Sequence, residues 1–272
     1  MARHPSAAAP VLSGAGMDVP AQSDRLLSVV VPVFNEAHRL EAVLSERLFP
    51  APCPITREWI LVDDGSTDGS GEILDRAGAL TDDAVRVVHK PNGGKGTAVR
   101  AGLEHARGDF VVVQDADEEY DPADIGRLLV PLLADEADVV YGSRFRRERH
   151  QVHRTYHYFV DRFLTLLSNL LSGIYLSDME TCYKLARTDL VRAMRLRSRR
   201  FESEVEFTAY VAKTGARVFE MPIAYHPRTR AAGKKIEWRD GVAALWHLVR
   251  FNVLTPPAAA FRDLPDAYRP RE

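Results

Sequence analysis

Two acidic clusters, Asp63-Asp64-Gly65 and Asp115-Ala116-Asp117, each close a β-branched apolar run, Trp59 to Val62 and Phe110 to Val113. In an open α/β sheet, ligands bind beyond the carboxyl ends of the strands, so carboxylates released there can converge on one molecule. Asp115 and Asp117 are two positions apart, which on a strand turns both to the same side and lets them reach one hard cation. Mg²⁺ takes oxygen ligands and shares a few carboxylates with substrate phosphates, so the pair suits a nucleoside diphosphate. Capping of the helix that begins near Asp121-Pro122 is the other role open to these acids.

Further groups fall on the same rim. Asp64 can accept hydrogen bonds from a base N–H or a ribose hydroxyl, its alternative being a helix N-cap. Glu36 follows the first strand run and is a third acid at a strand exit. Asn92-Gly93-Gly94-Lys95-Gly96 precedes a helix and can offer backbone N–H groups and the Lys95 cation to phosphate, although the GxxxxGK[ST] pattern is absent. Arg144, Arg228, Lys234 and Lys235 are cations in segments with loop signals; near a diphosphate they would neutralise charge on a leaving group. Glu202, Glu204 and Glu206 alternate in one stretch that also carries a helical apolar stripe. Helical spacing puts Glu202 and Glu206 on one face and turns Glu204 away, so one acid can face the site while at least one is a surface charge.

The elements that must hold these residues read as alternating strand and helix. Strand runs cover Leu27–Val33, Trp59–Val62, Val85–His89, Asp109–Gln114 and Ala137–Tyr141, separated by helical stretches, one of them capped by Ser66 or Thr67 and another spanning Thr97–Ala106. This spacing predicts a mostly parallel sheet with helices on both faces. After Arg144 the pattern stops. A basic stretch leads into the apolar segment Tyr156–Leu176, then Asp178-Met179-Glu180-Thr181, a strand region at Arg217–Tyr225, and a last helix with Trp238, Val242, Leu245, Trp246 and Val249. The chain divides into a leader (1–24), one domain (25–254, with a nucleotide-binding part to about 145 and an acceptor-side part from about 146) and a C-terminal tail (255–272) expected to fray.

At 272 residues and 46% apolar composition the chain can bury a full core. A net charge of −2 gives no reason to expect nucleic acid as a partner. Cys53 and Cys182 lack metal-ligand spacing, and with no disulfide framework a reducing, cytoplasmic setting is the default. The Ala-, Pro-, Ser- and Gly-rich leader lacks a signal peptide's apolar core, and Met17 is an alternative start. No apolar run reaches the roughly 18 residues of a spanning helix. Tyr156–Leu176 contains Asp161, Arg162, Ser168 and Asn169 and reads either as an interfacial helix, with basic residues from Arg144 to Arg154 beside it, or as core.

Taken together, VPVFNE (31–36), VDDGSTDGS (62–70), GGKGTAVRAGLEHARGD (93–109), QDADEEYDP (114–122), GSRF (142–145) and YHPRTRAAGKKIEWRDG (225–241) resemble the family 2 glycosyltransferases, and within them the polyprenyl-phosphate (dolichyl-phosphate) mannosyl- and glucosyltransferases. The resemblance covers about residues 27–250 and is specific through the order and spacing of its motifs. It implies a GT-A fold, that is, a Rossmann-like mostly parallel sheet, a nucleotide-sugar donor, Mg²⁺ or Mn²⁺, and inversion at the anomeric carbon. By motif, Pro32, Phe34, Glu36, Val62 and Asp64 hold the nucleoside. Asp115, Ala116 and Asp117 meet the diphosphate, with Asp115 and Asp117 as metal ligands. Glu119 stands where relatives often have a Gln that completes the metal shell. Arg144, Arg228 and Lys234 match cations that contact donor and acceptor phosphates, which makes Asp117, Arg144 and Arg228 the central catalytic candidates. Many relatives carry C-terminal transmembrane helices that this sequence lacks, which leaves peripheral contact with the cytoplasmic membrane face to Tyr156–Leu176.

The reaction this implies is direct displacement of the nucleoside diphosphate by a lipid phosphate oxygen. A phosphate monoester is largely ionised near neutral pH and needs no strong base; a hydroxyl acceptor would, with Asp178 or Glu204 as the base. The rival readings are a family 2 transferase acting on a soluble hydroxyl acceptor and a nucleotidyltransferase.

Overall fold

The computed structural model describes residues 24–146, 155–200, 202–227 and 238–270. Seven strands form one sheet: β1 (Leu26–Val33), β2 (Thr56–Asp63), β3 (Ala84–His89), β4 (Phe110–Val113), β5 (Val139–Ser143), β6 (Lys184–Arg187) and β7 (Val218–Pro222), in the spatial order β3-β2-β1-β4-β6-β5-β7. The first four strands are mutually parallel, and β5 is parallel to β7. β6 runs antiparallel to both β4 and β5. The sheet therefore continues beyond Arg144, where the strand–helix alternation in the sequence ends. The strand region at 217–225 joins this same sheet as β7.

Alternation of side chains along the central strands divides the core in two, because successive residues of a strand point to opposite faces. Val29, Val31, Trp59, Leu61, Phe110 and Val112 pack on one face beneath α1 (Ala37–Ala42), α2 (Ser70–Arg76) and α4 (Ala123–Leu133). Val30, Ile60, Val62, Val111 and Tyr141 pack on the other against α3 (Lys95–His105), α6 (Thr188–Ala193), α7 (Glu202–Val211) and buried residues of α5 (Thr155–Ser172) and α8 (Trp238–Val249). Both faces are covered, which is why the strands read as continuous apolar runs rather than alternating ones.

The segment after Leu254 does not fray. It forms α9 (Pro257–Ala260), buries Ala260, Phe261 and Tyr268, and is held by a bond from Tyr268 Oη to Asp189 at 2.8 Å. The apolar area of Phe261 and Tyr268, placed against Tyr210 and α6, outweighs the turn-forming prolines that made this stretch look like a tail.

The topology fixes where a ligand can sit. β1 leads by way of α1 to β2 on one side, and after β3 and α3 the chain returns to β4 on the other side. The crevice beyond β1, between oppositely directed connections, is the switch point of an open α/β sheet.

Candidate active site

The exits of β1, β2 and β4 bring the acids of the sequence to this crevice. At β1, Asn35 adopts φ 54° and turns the chain into α1. The 64–70 loop is stitched to that turn: Asn35 N donates to Ser66 Oγ (3.1 Å), Thr67 N to Asn35 Oδ1 (2.8 Å), Ala37 N to Asp68 Oδ2 (3.0 Å) and Glu36 N to Ser70 Oγ (2.9 Å). Ser66 and Thr67 therefore do not cap α2. The capping position is Gly69 at φ 96°, with no side-chain bond to the helix. Pro32 is half-buried, Phe34 exposed, Glu36 half-buried and Val62 buried around this rim.

Asp63 and Asp64 separate in function. Asp63 Oδ1 accepts from Ser66 N at 2.9 Å, and its Oδ2 lies 3.0 Å from His89 Nδ1. Burial would push the Asp63 carboxyl up, but the Ser66 and His89 bonds outweigh it and hold it below the ordinary range. His89, bonded to Asp63 and on its other nitrogen to Asp75, is held above the usual histidine value. Asp64 is buried and turned to the 92–96 loop: it accepts from Gly93 N (3.0 Å) and Gly94 N (2.7 Å) and pairs with Lys90. It is not an N-cap. Gly94 sits at φ +90°, and a Cβ there would lie 2.5 Å from the Arg199 carbonyl, so only glycine lets this loop pass so close to the segment before α7.

Lys95 is the first residue of α3, and its ammonium reaches across to β4. Nζ lies 2.7 Å from Asp115 Oδ1, 3.9 Å from Glu204 Oε1 and 3.7 Å from Cys182 Sγ. Burial alone would lower the Lys95 pKa; the Asp115 charge, helped by Glu204, more than offsets it and keeps the ammonium above its ordinary value. Glu204 also pairs with Lys184, which donates to the Thr181 carbonyl. Glu204, which helical spacing had turned away from its neighbours, is thus the acid of α7 that faces the site. Glu206 is fully buried and accepts from Arg197 N and Ser198 N, and Glu202 accepts from Arg199 N. Neither behaves as a surface charge. Both hold the 197–199 segment, whose carbonyls receive Gly96 N and Arg100 and so fix the start of α3.

The Asp115-Ala116-Asp117 triplet follows directly on β4. Ala116 is buried, and Asp115 and Asp117 are half-buried. The N-cap of α4 is Pro122, and the first helical N–H, of Ala123, donates to Asp121 Oδ1 at 3.0 Å, so the triplet does not cap this helix. Asp117 Oδ1 accepts from Glu119 N at 2.9 Å, tightening the turn. The Glu119 carboxylate accepts from Tyr225 Oη at 3.0 Å, and His226 N donates to the Glu119 carbonyl. Among the described residues no group of three acids, histidines or cysteines forms a ready-made metal cage. Asp115, Asp117 and Glu119 are therefore not gathered as a protein-only triad. Two carboxylates are nonetheless a fitting donor set for Mg²⁺ or Mn²⁺, because such ions complete their shell with substrate phosphate and water.

Just beyond β5, Arg144 is almost fully buried and its fork is filled by Asp178: Nε to Oδ2 at 2.7 Å, Nη2 to Oδ1 at 2.8 Å, and the backbone N to Oδ2 at 2.9 Å. Asp161 of α5 lies 3.5 Å from the same guanidinium, which also stacks over Tyr225. Both candidate bases, Asp178 and Glu204, thus have their oxygens engaged by cations. Glu180 was not singled out by its spacing. Its Oε1 is buried with no hydrogen-bond partner among the described residues. Burial, reinforced by Asp161 and Glu204 and opposed by Lys184 and Arg144, pushes its carboxyl up to about 7. Lys90, Asp161 and Lys184 were also missed, because nothing local in the sequence distinguishes a lysine or aspartate whose partner lies on a distant element. Arg228, Lys234, Lys235 and the basic residues 147–154 lie outside the described residues.

The chain is similar to known proteins. Residues 28–203 match the family described as glycosyl transferase family 2. An undecaprenyl-phosphate 4-deoxy-4-formamido-L-arabinose transferase of Pseudomonas fluorescens is 32% identical over 217 residues, covering 76% of this chain and 59% of its own length. A dodecaprenyl-phosphate galacturonate synthase of Rhizobium johnstonii is 30% identical over 226 residues, covering 80% of this chain and 64% of the relative. The chain spans about half to two thirds of the length of such relatives. Glucosyl-3-phosphoglycerate synthase of Mycobacterium tuberculosis, solved with Mg²⁺ and uridine diphosphate, superposes with a TM-score of 0.62 at 19% identity, covering 90% of this chain and 86% of that one. The architecture is the GT-A fold, and the chain belongs to glycosyl transferase family 2.

Proposed function

We propose that this protein is an inverting, metal-dependent hexosyltransferase that moves a sugar from a nucleotide sugar of the GDP-mannose or UDP-glucose type to a polyprenyl phosphate. The observation that carries the reading is the Asp115–Asp117 turn at the exit of β4, set at the switch point opposite Glu36 and the Asp64-bound glycine loop. In this reading Pro32, Phe34, Glu36, Val62 and Asp64 shape the nucleoside side, Asp64 acting largely through the loop it holds. Asp115 and Asp117 hold a divalent cation, which supplies positive charge to the departing diphosphate. Lys95, Arg228 and Lys234 add cations to the phosphates. Arg144, already bonded to Asp178, orders the acceptor side.

The acceptor oxygen attacks C1 on the face opposite the diphosphate; the new C1–O bond forms as the old one breaks, and the configuration inverts. A phosphate monoester carries most of its charge at neutral pH, so its attack requires no strong base. The engagement of Asp178 and Glu204 by cations agrees with that chemistry.

A lipid acceptor is supported by the surface beside Arg144. α5 brings Asp161 to that residue while Phe159, Phe163, Leu166 and Leu170 stand exposed along one stripe. α8 packs alongside α5, and Leu245, Trp246 and Val249 are exposed on it. None of the described helices is long and apolar enough to cross a membrane. Amphipathic helices with such faces lie in the lipid–water interface, and the relatives are named for transfer to polyprenyl phosphates. The test is to offer the purified protein, with Mg²⁺ and UDP-glucose or GDP-mannose, a short polyprenyl phosphate and a soluble hydroxyl acceptor side by side. The proposal requires glycolipid as the product; glycosylation of the hydroxyl acceptor alone would overturn it.

A further inference from the structure

Lys95 occupies the carboxylate that the proposed metal needs. Its Nζ is 2.7 Å from Asp115 Oδ1, and a second acid, Glu204, lies 3.9 Å away. An ammonium on one oxygen of the half-buried Asp115 carboxylate opposes a divalent cation on the other, because like charges a few ångströms apart repel strongly in a poorly solvated site. A metal at Asp115 therefore favours a change of partner by Lys95. The surroundings provide for this. Glu204, Lys184 and Cys182 line a cavity of ≈ 50 Å³ with Val99, Val113 and Phe207, which leaves open space beside Glu204. Glu204 also carries Lys184, whose ammonium is additionally held by the Thr181 carbonyl and can remain in place.

We propose that Lys95 is an internal counter-ion: it neutralises Asp115 while the metal is absent and swings toward Glu204 as the metal–diphosphate unit binds. The inference rests on the assignment of Asp115 as a metal ligand. Its consequence is ordered assembly. Metal alone competes with Lys95 and binds weakly, whereas metal delivered with a nucleoside diphosphate gives the released ammonium a second negative partner. Lys95 is thus a positioning residue for the metal as well as a phosphate contact, and Glu204 is its resting place in the loaded state.

The test measures Mn²⁺ binding directly, by the electron paramagnetic resonance signal of free Mn²⁺, in the absence of any nucleotide. Lys95→Met should bind Mn²⁺ about tenfold more tightly than wild type, the scale expected when a close charge pair no longer competes. Glu204→Gln should bind it more weakly, because Lys95 then has nowhere to go. A purely structural role for this cluster would weaken binding in both variants. Lys95→Met binding no tighter than wild type would overturn the proposal, and Lys95→Gln repeats the measurement should the methionine variant fail to fold. Asp115→Asn distinguishes the two levels of the argument: if it binds Mn²⁺ as well as wild type, the metal assignment itself is wrong.

Discussion

Gly94 N donates to Asp64 Oδ2 at 2.7 Å, and with the Gly93 N bond to the same carboxylate this ties the exit of β2 to the loop whose next residue, Lys95, reaches Asp115. The proposed nucleoside and metal sides of the crevice are therefore mechanically joined at Asp64. Asp64→Asn removes an acceptor for Gly94 N and the counter-charge for Lys90. It should cost about 1–3 kcal/mol of stability by urea denaturation, the penalty for a buried hydrogen bond left unmade, and raise KM for the nucleotide sugar. Unchanged stability with a raised KM would restrict Asp64 to ligand contact.

Arg144 and Asp178 are a buried, forked ion pair, and removing one partner leaves the other charged and unsolvated. Asp178→Asn should destabilise the protein by about 3–5 kcal/mol. A general-base role would instead give a stable protein whose transfer rate alone collapses, so denaturation and turnover measured on the same variant separate the two.

Glu180 makes stability depend on pH. In the native state its carboxyl keeps a proton up to about 7, whereas the unfolded chain releases it near the ordinary carboxyl value of 4.5. Between those values the native state binds more protons, so this group's contribution to stability is present at low pH and is lost as pH rises through about 7. At 1.36 kcal/mol per unit the loss is about 3 kcal/mol. Glu180→Gln should remove the dependence, so that its urea stability relative to wild type improves between pH 5 and pH 8. Parallel pH profiles of the two proteins would refute it.

The exposed stripes on α5 and α8 predict membrane contact without a spanning helix. Phe163→Glu and Trp246→Glu should each lower co-sedimentation with anionic phospholipid vesicles severalfold while leaving the melting temperature near wild type, since both side chains are more than half exposed. Vesicle binding equal to wild type in the double variant would remove this face from the account.

Much of the site could be read in the sequence because its residues follow directly on strongly apolar strands; β1, β2 and β4 are central, and their exits carry Glu36, Asp64 and Asp115. What could not be read depends on partners far apart in the chain. β6 is four residues long and mixes Lys184 and Arg187 with two apolar residues, so it acquires strand character only by pairing with β4 and β5. Helical periodicity separates Glu204 from Glu202 and Glu206 but cannot say which face meets Lys95. Ser66 and Thr67 are good capping residues by type, yet the turn at Asn35 claims them first. The prolines after Leu254 obscured the burial of Phe261 and Tyr268 for the same reason: their contacts lie on α6 and α7.

The central claim is metal-dependent transfer from a corner built by Asp115 and Asp117. It is tested most directly by following labelled sugar from the nucleotide sugar into polyprenyl phosphate, for wild type with and without excess EDTA and for Asp117→Asn. The account predicts glycolipid formation by wild type with Mg²⁺ or Mn²⁺, its loss in EDTA, and a fall of at least about 10³-fold in a folded Asp117→Asn protein, the scale of removing electrostatic stabilisation from a leaving group. Full activity in EDTA, or wild-type turnover by Asp117→Asn, would contradict it.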